Sequence, residues 1–263
     1  MPHIVHWNPR TALGTGRLST RVKVGRRINN FGDLLGPLIV ERVRQHLGLG
    51  RERSRRQRLL TVGSIMHFGR DGDVVWGTGV NGKVPRDHYP DLDIRAVRGP
   101  LSAEQLQRAG VDTPGVFGDP ALLLPLLWDD TEWGIRRGTG GTVLVPNLHD
   151  REDFPSEALD PRSDLTSCIR AIASADLVVS SSLHGIAVAE AYGVPAVLVA
   201  SRREPAFKYE DYYLGTGRQL PPAARTWREA TTASPAPPIS HWRAESLLAA
   251  FPSDLWAARS AAD

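Results

Sequence analysis

Short apolar runs recur along this chain, and between them stand stretches whose apolar residues fall three and four apart. IVHW (4–7), RLLTVGS (58–64), DVVWG (73–77) and IRAVRG (94–99) have the length and composition of buried strands. DLLGPLIVERVRQHL (33–47) places Leu35, Leu38, Ile39, Val43 and Leu47 on or near one helical face. SAEQLQRAG (102–110) is a shorter helix, with Ser102 set to cap it and Gly110 to stop it. VFGDPALLLP (116–125) reads as a strand end followed by a turn. The polar, Gly-rich DDTEWGIRRGTGG (129–141) interrupts the pattern as a linker would. The alternation then restarts: TVLVP as a strand, SDLTSCIRAIASA (163–175) as a helix, DLVVSS (176–181) as a strand, HGIAVAEAYG (184–193) as a helix and PAVLVA (195–200) as a strand.

Strands alternating with helices predict an α/β protein with parallel sheets covered on both faces. Two such runs predict two Rossmann-like lobes around a cleft, a GT-B-like arrangement. The expected boundaries are an N-terminal, acceptor-side lobe at 1–128 and the linker at 129–141. A C-terminal, donor-side lobe follows at 142–225, then a Pro-rich spacer and terminal helix at 226–263.

The 263-residue chain is 41% hydrophobic and 23% charged, enough to build its own core. Its longest apolar runs, ALLLPLLW and VPAVLVA, are too short to span a bilayer. MPHIVHWNPR lacks the basic-then-apolar order of a secretory signal. With a single cysteine, Cys168, no disulfide forms within the chain. The expectation is a cytoplasmic protein with Cys168 as a small core residue. Net charge is only +3, and the basicity is concentrated in GRLSTRVKVGRR (16–27) and RERSRRQR (51–58). Such blocks bind nucleic acid, anionic headgroups or phosphorylated substrates. No aromatic residue is interleaved in 51–58, which favours a solvated loop over base stacking, and no nucleic-acid partner is expected. The first block runs straight into a motif-like turn, where a role in binding an anion fits better.

Two phosphate-binding patterns fail on inspection. GTGVNG (77–82) matches G-x-G-x-x-G after a strand, but KVPRDHYPD follows, and its prolines deny the helix that a pyrophosphate site needs. The same stretch nearly matches a P-loop, with Val84 where the Mg²⁺-binding hydroxyl belongs. A strand-end turn that admits a close neighbour accounts for these glycines. The His and Asp residues show no metal-ligand spacing, and no metal is expected.

SSSLHG (180–185) is more informative. In an open parallel sheet ligands sit beyond the carboxyl ends of strands. DLVVSS ends at such an edge, and its turn into a helix offers backbone N–H groups, serine hydroxyls and the His184 imidazole to an anion. The competing reading is a helix capped by Ser182, with His184 on its exposed first turn.

Read together and in order, INNFGD (28–33), VWGTG (75–79), AVRGPLS (96–102), GDPALLLP (118–125), SSLHGIAVAEAYGVP (181–195) and FKYEDYY (207–213) resemble the polysaccharide pyruvyl transferase family over about three-quarters of the chain. The resemblance implies transfer of a pyruvyl group from phosphoenolpyruvate to two hydroxyls of a sugar, giving a ketal, on a GT-B-like fold. It implies phosphoenolpyruvate as donor substrate without a further cofactor, and a sugar or lipid-linked oligosaccharide as acceptor. Many members carry Arg before the Leu-His pair, whereas this chain has Ser182. It is more similar to the exopolysaccharide ketal-forming subgroup, which shares Ser-Leu-His and a downstream Phe-Lys-Tyr.

On this reading His184 is the general acid/base or a phosphate ligand, and Asp33 is the base for a sugar hydroxyl. Arg98, at a strand end, and Lys208 are the cations for donor oxyanions. Asn30, Ser181, Ser182 and Gly185 complete the substrate-binding set. The bland alternatives are a surface salt bridge for Arg98, an exposed loop lysine for Lys208 and a helix-cap carboxylate for Asp33. Asp119 in FGDP is a turn former. A nucleotide-sugar glycosyltransferase shares the fold, and fold does not settle function. A non-catalytic binder of anionic glycans or nucleic acid is a further alternative. Basic blocks without a membrane span fit an enzyme working peripherally at the inner membrane face.

Overall fold

The computed structural model of the chain describes residues 2–11, 25–50, 57–83 and 86–256. Most of the basic block 16–27 and residues 51–56 of the block 51–58 therefore lie outside the described residues.

The described strands form two parallel sheets. The first has the order β1 (His3–Val5), β2 (Arg58–Leu60), β3 (Asp73–Trp76), β4 (Leu92–Ala96). Between β1 and β2 runs α1 (Phe31–His46), and α2 (Pro100–Arg108), α3 (Leu124–Leu127) and α4 (Asp130–Trp133) follow β4. The second sheet is β5 (Thr142–Val145), β6 (Leu177–Ser180), β7 (Ala196–Leu198), with α5 (Leu165–Ser174) and α6 (Leu183–Ala191) as crossovers. The chain ends through α7 (Phe207–Gly215), α8 (Trp227–Ala230) and α9 (Ala244–Ala249). The α/β class with parallel sheets is as the alternation predicts.

The two-residue period of the strands decides what each sheet face meets. Leu59, Val74, Trp76 and Ala96 join Phe31, Leu35, Ile39 and Val43 of α1, the i, i+4 stripe of that helix. Their neighbours Leu60, Val75 and Ile94 pack on the opposite face with Leu106 of α2. In the second sheet Val178, Ala196 and Leu198 join the α1 cluster through Ile169, Ile172 and Ile186. Val179 and Val197 face a separate cluster with Phe154 and Ala230. One face of each sheet is thus buried against a shared layer of helices. Each buried Leu, Ile, Val or Phe contributes about 1.5–3 kcal/mol to holding that layer.

Within this frame several local expectations change. Gly99, not Ser102, caps α2, with Pro100 at its first position; the Ser102 hydroxyl instead donates to Asp211. Residues 129–141 carry α4, closed by a reciprocal Asp129–Glu132 capping box, and Trp133 and Ile135 are buried. Cys168 is fully buried on α5, as expected of a core residue. The tail returns to the first sheet: Trp76 Nε1 donates to the Leu247 carbonyl at 2.9 Å, and Phe251, Leu255 and Trp256 are buried.

Candidate active site

A cleft of about 200 Å³ opens where the carboxyl ends of strands from both sheets converge. Trp7 follows β1, Ser64, Ile65 and His67 follow β2, and Asn81 and Lys83 follow β3. From the second sheet, Asn147 and His149 follow β5, Ser182 and His184 follow β6, and Glu204 and Lys208 follow β7. Asn30 and Asp33, at the start of α1, complete the wall. This is where an open α/β sheet binds ligands.

The turn after β6 is tightly determined. Ser180 Oγ donates to the Val145 carbonyl and accepts from the Ser182 N–H at 2.9 Å. Ser181 Oγ accepts from the Asn147 N–H, and its carbonyl accepts from Tyr209 Oη at 2.6 Å. Ser182 is the cap of α6, accepting from the Gly185 N–H. Ser182 lines the cleft, whereas Ser181 and Gly185 are buried behind it and serve the turn.

His184 is not on an exposed first turn; its side chain is 12% exposed. Its ring is pressed against α1, where a Cβ on Gly32 would collide with Nδ1. Nε2 is buried without a hydrogen-bond partner and faces Asp119 Oδ2, also buried and unpartnered, at 3.8 Å. Burial, with Lys208 and Arg98 nearby, pushes the imidazole down to about 3, so it is neutral at physiological pH. Burial pushes Asp119 up to about 6, against the opposing pull of the Ala121 N–H and Arg98. The ionised carboxylate beside Nε2 favours the tautomer that carries its proton there, which leaves Nδ1 for a ligand. Asp119 is the turn former expected, since Oδ1 accepts from the Ala121 N–H. Its second oxygen, turned to His184, had no local signal.

Asp33 accepts from Asn30 Nδ2, and no side chain caps α1. Burial raises its carboxyl to about 6, with Asn30 and Lys208 opposing. Lys208 is 7% exposed on α7, not a loop lysine in solvent. Its Nζ lies 3.0 Å from Glu204 Oε2, and burial lowers its pKa while Glu204 opposes.

Arg98 requires correction. It does not face the cleft: fully buried, it holds Asp211 through Nε at 3.0 Å, Ser64 Oγ through Nη1 at 2.6 Å and the Val80 carbonyl through Nη2. It is no surface salt bridge either. Its charge acts on the site from behind, through Ser64 and on Asp119 and His184. Its guanidinium also explains the glycine motif, since a Cβ on Gly79 would run into it. No described residue between Gly82 and β4 is helical.

Lys83, Glu204, Trp7, Ser64, His67, Asn81, Asn147 and His149 escaped the sequence reading. Their shared signal was position just past the carboxyl end of a strand, a rule that the sequence reading used for the turn after β6, for Arg98 and for Lys208 but not for the other strand ends. Among the described residues no group of three or more His, Cys, Asp or Glu is placed to hold a metal.

Fold and cleft together define an α/β protein of two parallel sheets with a polar, lysine-bearing site at their carboxyl edges. The family model described as polysaccharide pyruvyl transferase matches residues 72–203, half of the chain, and the chain belongs to that family. It is 29% identical over 132 residues to the succinoglycan biosynthesis protein ExoV of Rhizobium meliloti (strain 1021), a match covering 46% of this chain and 40% of that protein's length. A functionally uncharacterized protein from Klebsiella pneumoniae subsp. pneumoniae NTUH-K2044, known from its crystal structure, aligns with 70% of this chain and 83% of its own, at 10% identity and a TM-score of 0.45. No described helix is long and apolar enough to cross a membrane.

Proposed function

We propose that this protein transfers a pyruvyl group from phosphoenolpyruvate to two hydroxyls of a saccharide, in an exopolysaccharide or its precursor, forming a pyruvate ketal. Family membership supports the reaction class. The observation that carries the residue-level reading is the meeting of Lys83, Lys208, Asp33 and the buried Asp119–His184 pair at one cleft. The two sheets act as the two halves of a GT-B-like cleft.

In the reaction the methylene carbon of the donor takes up a proton, and the first sugar hydroxyl bonds to the adjacent carbon. The phosphate then leaves with the electrons of its C–O bond, and the second hydroxyl closes the ketal. Of the two hydroxyl protons, one balances the proton delivered to carbon and the other leaves with phosphate. The lysines hold the donor's oxyanions as point charges. His184, held neutral, accepts a hydrogen bond from a sugar hydroxyl at Nδ1, which Asp119 leaves unprotonated, and so orients that oxygen for attack. Asp33, raised to about 6, takes the proton of the attacking hydroxyl and returns it to the substrates, to the methylene carbon or the leaving phosphate. Asn30 and Ser182 position them. The acceptor is a sugar or lipid-linked oligosaccharide met at the inner membrane face by a cytoplasmic enzyme.

Thermal shifts with phosphoenolpyruvate, uridine diphosphate and NAD, followed by phosphate release with candidate saccharides, test this. Saturating phosphoenolpyruvate at 100 times its Kd adds about 2.7 kcal/mol. That shift should come with phosphate release that His184→Ala abolishes. A shift with uridine diphosphate alone overturns the reading in favour of a glycosyltransferase. Salt-sensitive glycan binding that survives His184→Ala, without phosphate release, overturns it in favour of a binding protein.

A further inference from the structure

Three charged side chains meet across the cleft in an arrangement that the reaction above does not use in full. Lys83 stands on the loop after β3, in the first sheet's half. Glu204 and Lys208 stand beyond β7, in the second. Glu204 lies between the two ammonium groups, with Oε1 2.5 Å from Lys83 Nζ and Oε2 3.0 Å from Lys208 Nζ. The backbone of Glu204 is pinned, because its N–H donates to Ser201 Oγ at 3.0 Å. Lys208 is equally fixed, buried on α7 with its Nζ 5.0 Å from the centre of the Tyr209 ring. The Glu204 carboxylate can leave by rotation about its own side-chain bonds, without movement of either loop.

Two ammonium groups bridged by one carboxylate have the geometry of an oxyanion site already filled from within. The carboxylate presents one oxygen to each cation, as a phosphate monoester or a substrate carboxylate would. Without it, two like charges would face each other in a half-buried space, which is costly. Burial pushes the Glu204 carboxyl up, yet the two lysines hold it below the ordinary value, so it is ionised at neutral pH. Lys83 and Glu204 stand 121 positions apart, and Lys208 opens α7 close to Glu204, so the same carboxylate links the two halves of the site.

We propose that Lys83 and Lys208 form a two-ammonium seat for a small oxyanion, and that Glu204 is its internal counter-ion, displaced when a phosphate monoester binds. This rests on the pyruvyl transfer reading for the identity of the ligand but not for the existence of the seat. Glu204 then sets donor affinity by competition. It also keeps weakly bound anions out of the site, since each must first outbid a carboxylate held at an effective concentration far above its own.

The test is calorimetric titration of inorganic phosphate, and separately of phosphoenolpyruvate, into the wild-type chain, Glu204→Gln and Lys83→Met. Removing the competing charge should tighten inorganic phosphate about tenfold, and removing one ammonium should weaken it about tenfold. Both effects should shrink at high ionic strength. Unchanged or weaker phosphate binding by folded Glu204→Gln overturns the proposal, because Glu204 would then be holding the lysines in place. Should that variant not fold, half-exposed Lys83 carries the test: undiminished phosphate binding by Lys83→Met overturns the seat. Failure of every protein to bind phosphate overturns it too. Phosphate that tightens in Glu204→Gln, with no phosphate release from phosphoenolpyruvate and any saccharide, supports the seat and removes the pyruvyl transfer reading. Release by the wild type without tightening in Glu204→Gln does the reverse.

Discussion

Replacing Asp119 by Asn removes one charge from the deepest part of the site while keeping its shape. The Asp119 carboxyl is fully buried, and burial raises it from 3.8 to about 6. The folded chain therefore binds this proton more tightly than the unfolded chain does. The resulting stabilisation is complete below about pH 3.8, is lost as the pH rises through about 6, and is absent at pH 7. At about 1.4 kcal/mol per pH unit it amounts to about 3 kcal/mol. Asn keeps the oxygen that accepts from the Ala121 N–H and never ionises. Asp119→Asn should accordingly be more stable than the wild type at pH 7, by up to about 3 kcal/mol, or roughly 6–12 °C in Tm. The two proteins should converge near pH 4. Activity should move the other way. An Asn amide turns an N–H toward His184 Nε2 in place of a negative charge, which favours the imidazole proton on Nδ1 and removes the hydrogen-bond acceptor from the cleft. Phosphate release should fall at least tenfold, by about 1.4 kcal/mol or more in transition-state stabilisation. The assays are calorimetric melting at pH 7 and pH 4.5 and phosphate release at pH 7. A variant destabilised by the same amount at both pH values would refute the reasoning, because the charged carboxylate would then be stabilising the fold. Unchanged phosphate release would refute the role in setting the tautomer.

Two further outcomes follow from the same geometry. Asp211→Ala strands the Arg98 guanidinium with no counter-ion at a fully buried site, and should cost about 3–5 kcal/mol in urea unfolding. Pairing Arg98→Met with Asp211→Leu should recover much of that loss, and a double variant no more stable than Asp211→Ala would count against a simple buried pair. Asp33 and Asp119, both raised to about 6, must both be ionised for this role, so phosphate release should fall more steeply than tenfold per pH unit below about 6. Asp33→Asn should lower the rate and leave only the shallower limb of Asp119, about tenfold per pH unit, and a limb of unchanged steepness would refute the role of Asp33.

The fold was legible because strand and helix periods are local properties. Leu59 and Leu60, or Val74 and Val75, are adjacent in sequence and divided between opposite faces of one sheet, as a two-residue period requires. The turn holding His184 was legible for the same reason. It ends an apolar strand and opens a helix with a capping serine, and parallel sheets bind ligands at such turns. The Ser102 cap failed because Pro100 at the first helical position starts α2 earlier. Residues 77–82 do form a turn that admits a neighbour, but the neighbour is Arg98, and the turn also delivers Asn81 and the adjoining Lys83 to the cleft.

What stayed hidden was pairing at long range. Arg98 stands at a strand end, where a cation is easily taken for a ligand group, and only Asp211, 113 positions away, turns it inward. Asp119 shows one oxygen's partner two residues on, and the other oxygen's counterpart belongs to α6 in the second sheet. Lys83 and Glu204 are related in the same way. In each case one partner comes from the first sheet's half and the other from beyond β6 or β7, so the pair exists only once both sheets have packed on the helical layer between them. The site is therefore coupled to that layer more than to either sheet alone. Gly32 shows how directly: it sits on α1, whose buried stripe anchors the layer, and its missing side chain is the space that the His184 ring occupies. A side chain there would act on the imidazole before it acted on the core, which places the tolerance of this interface, and not the propensity of any strand, in control of the chemistry.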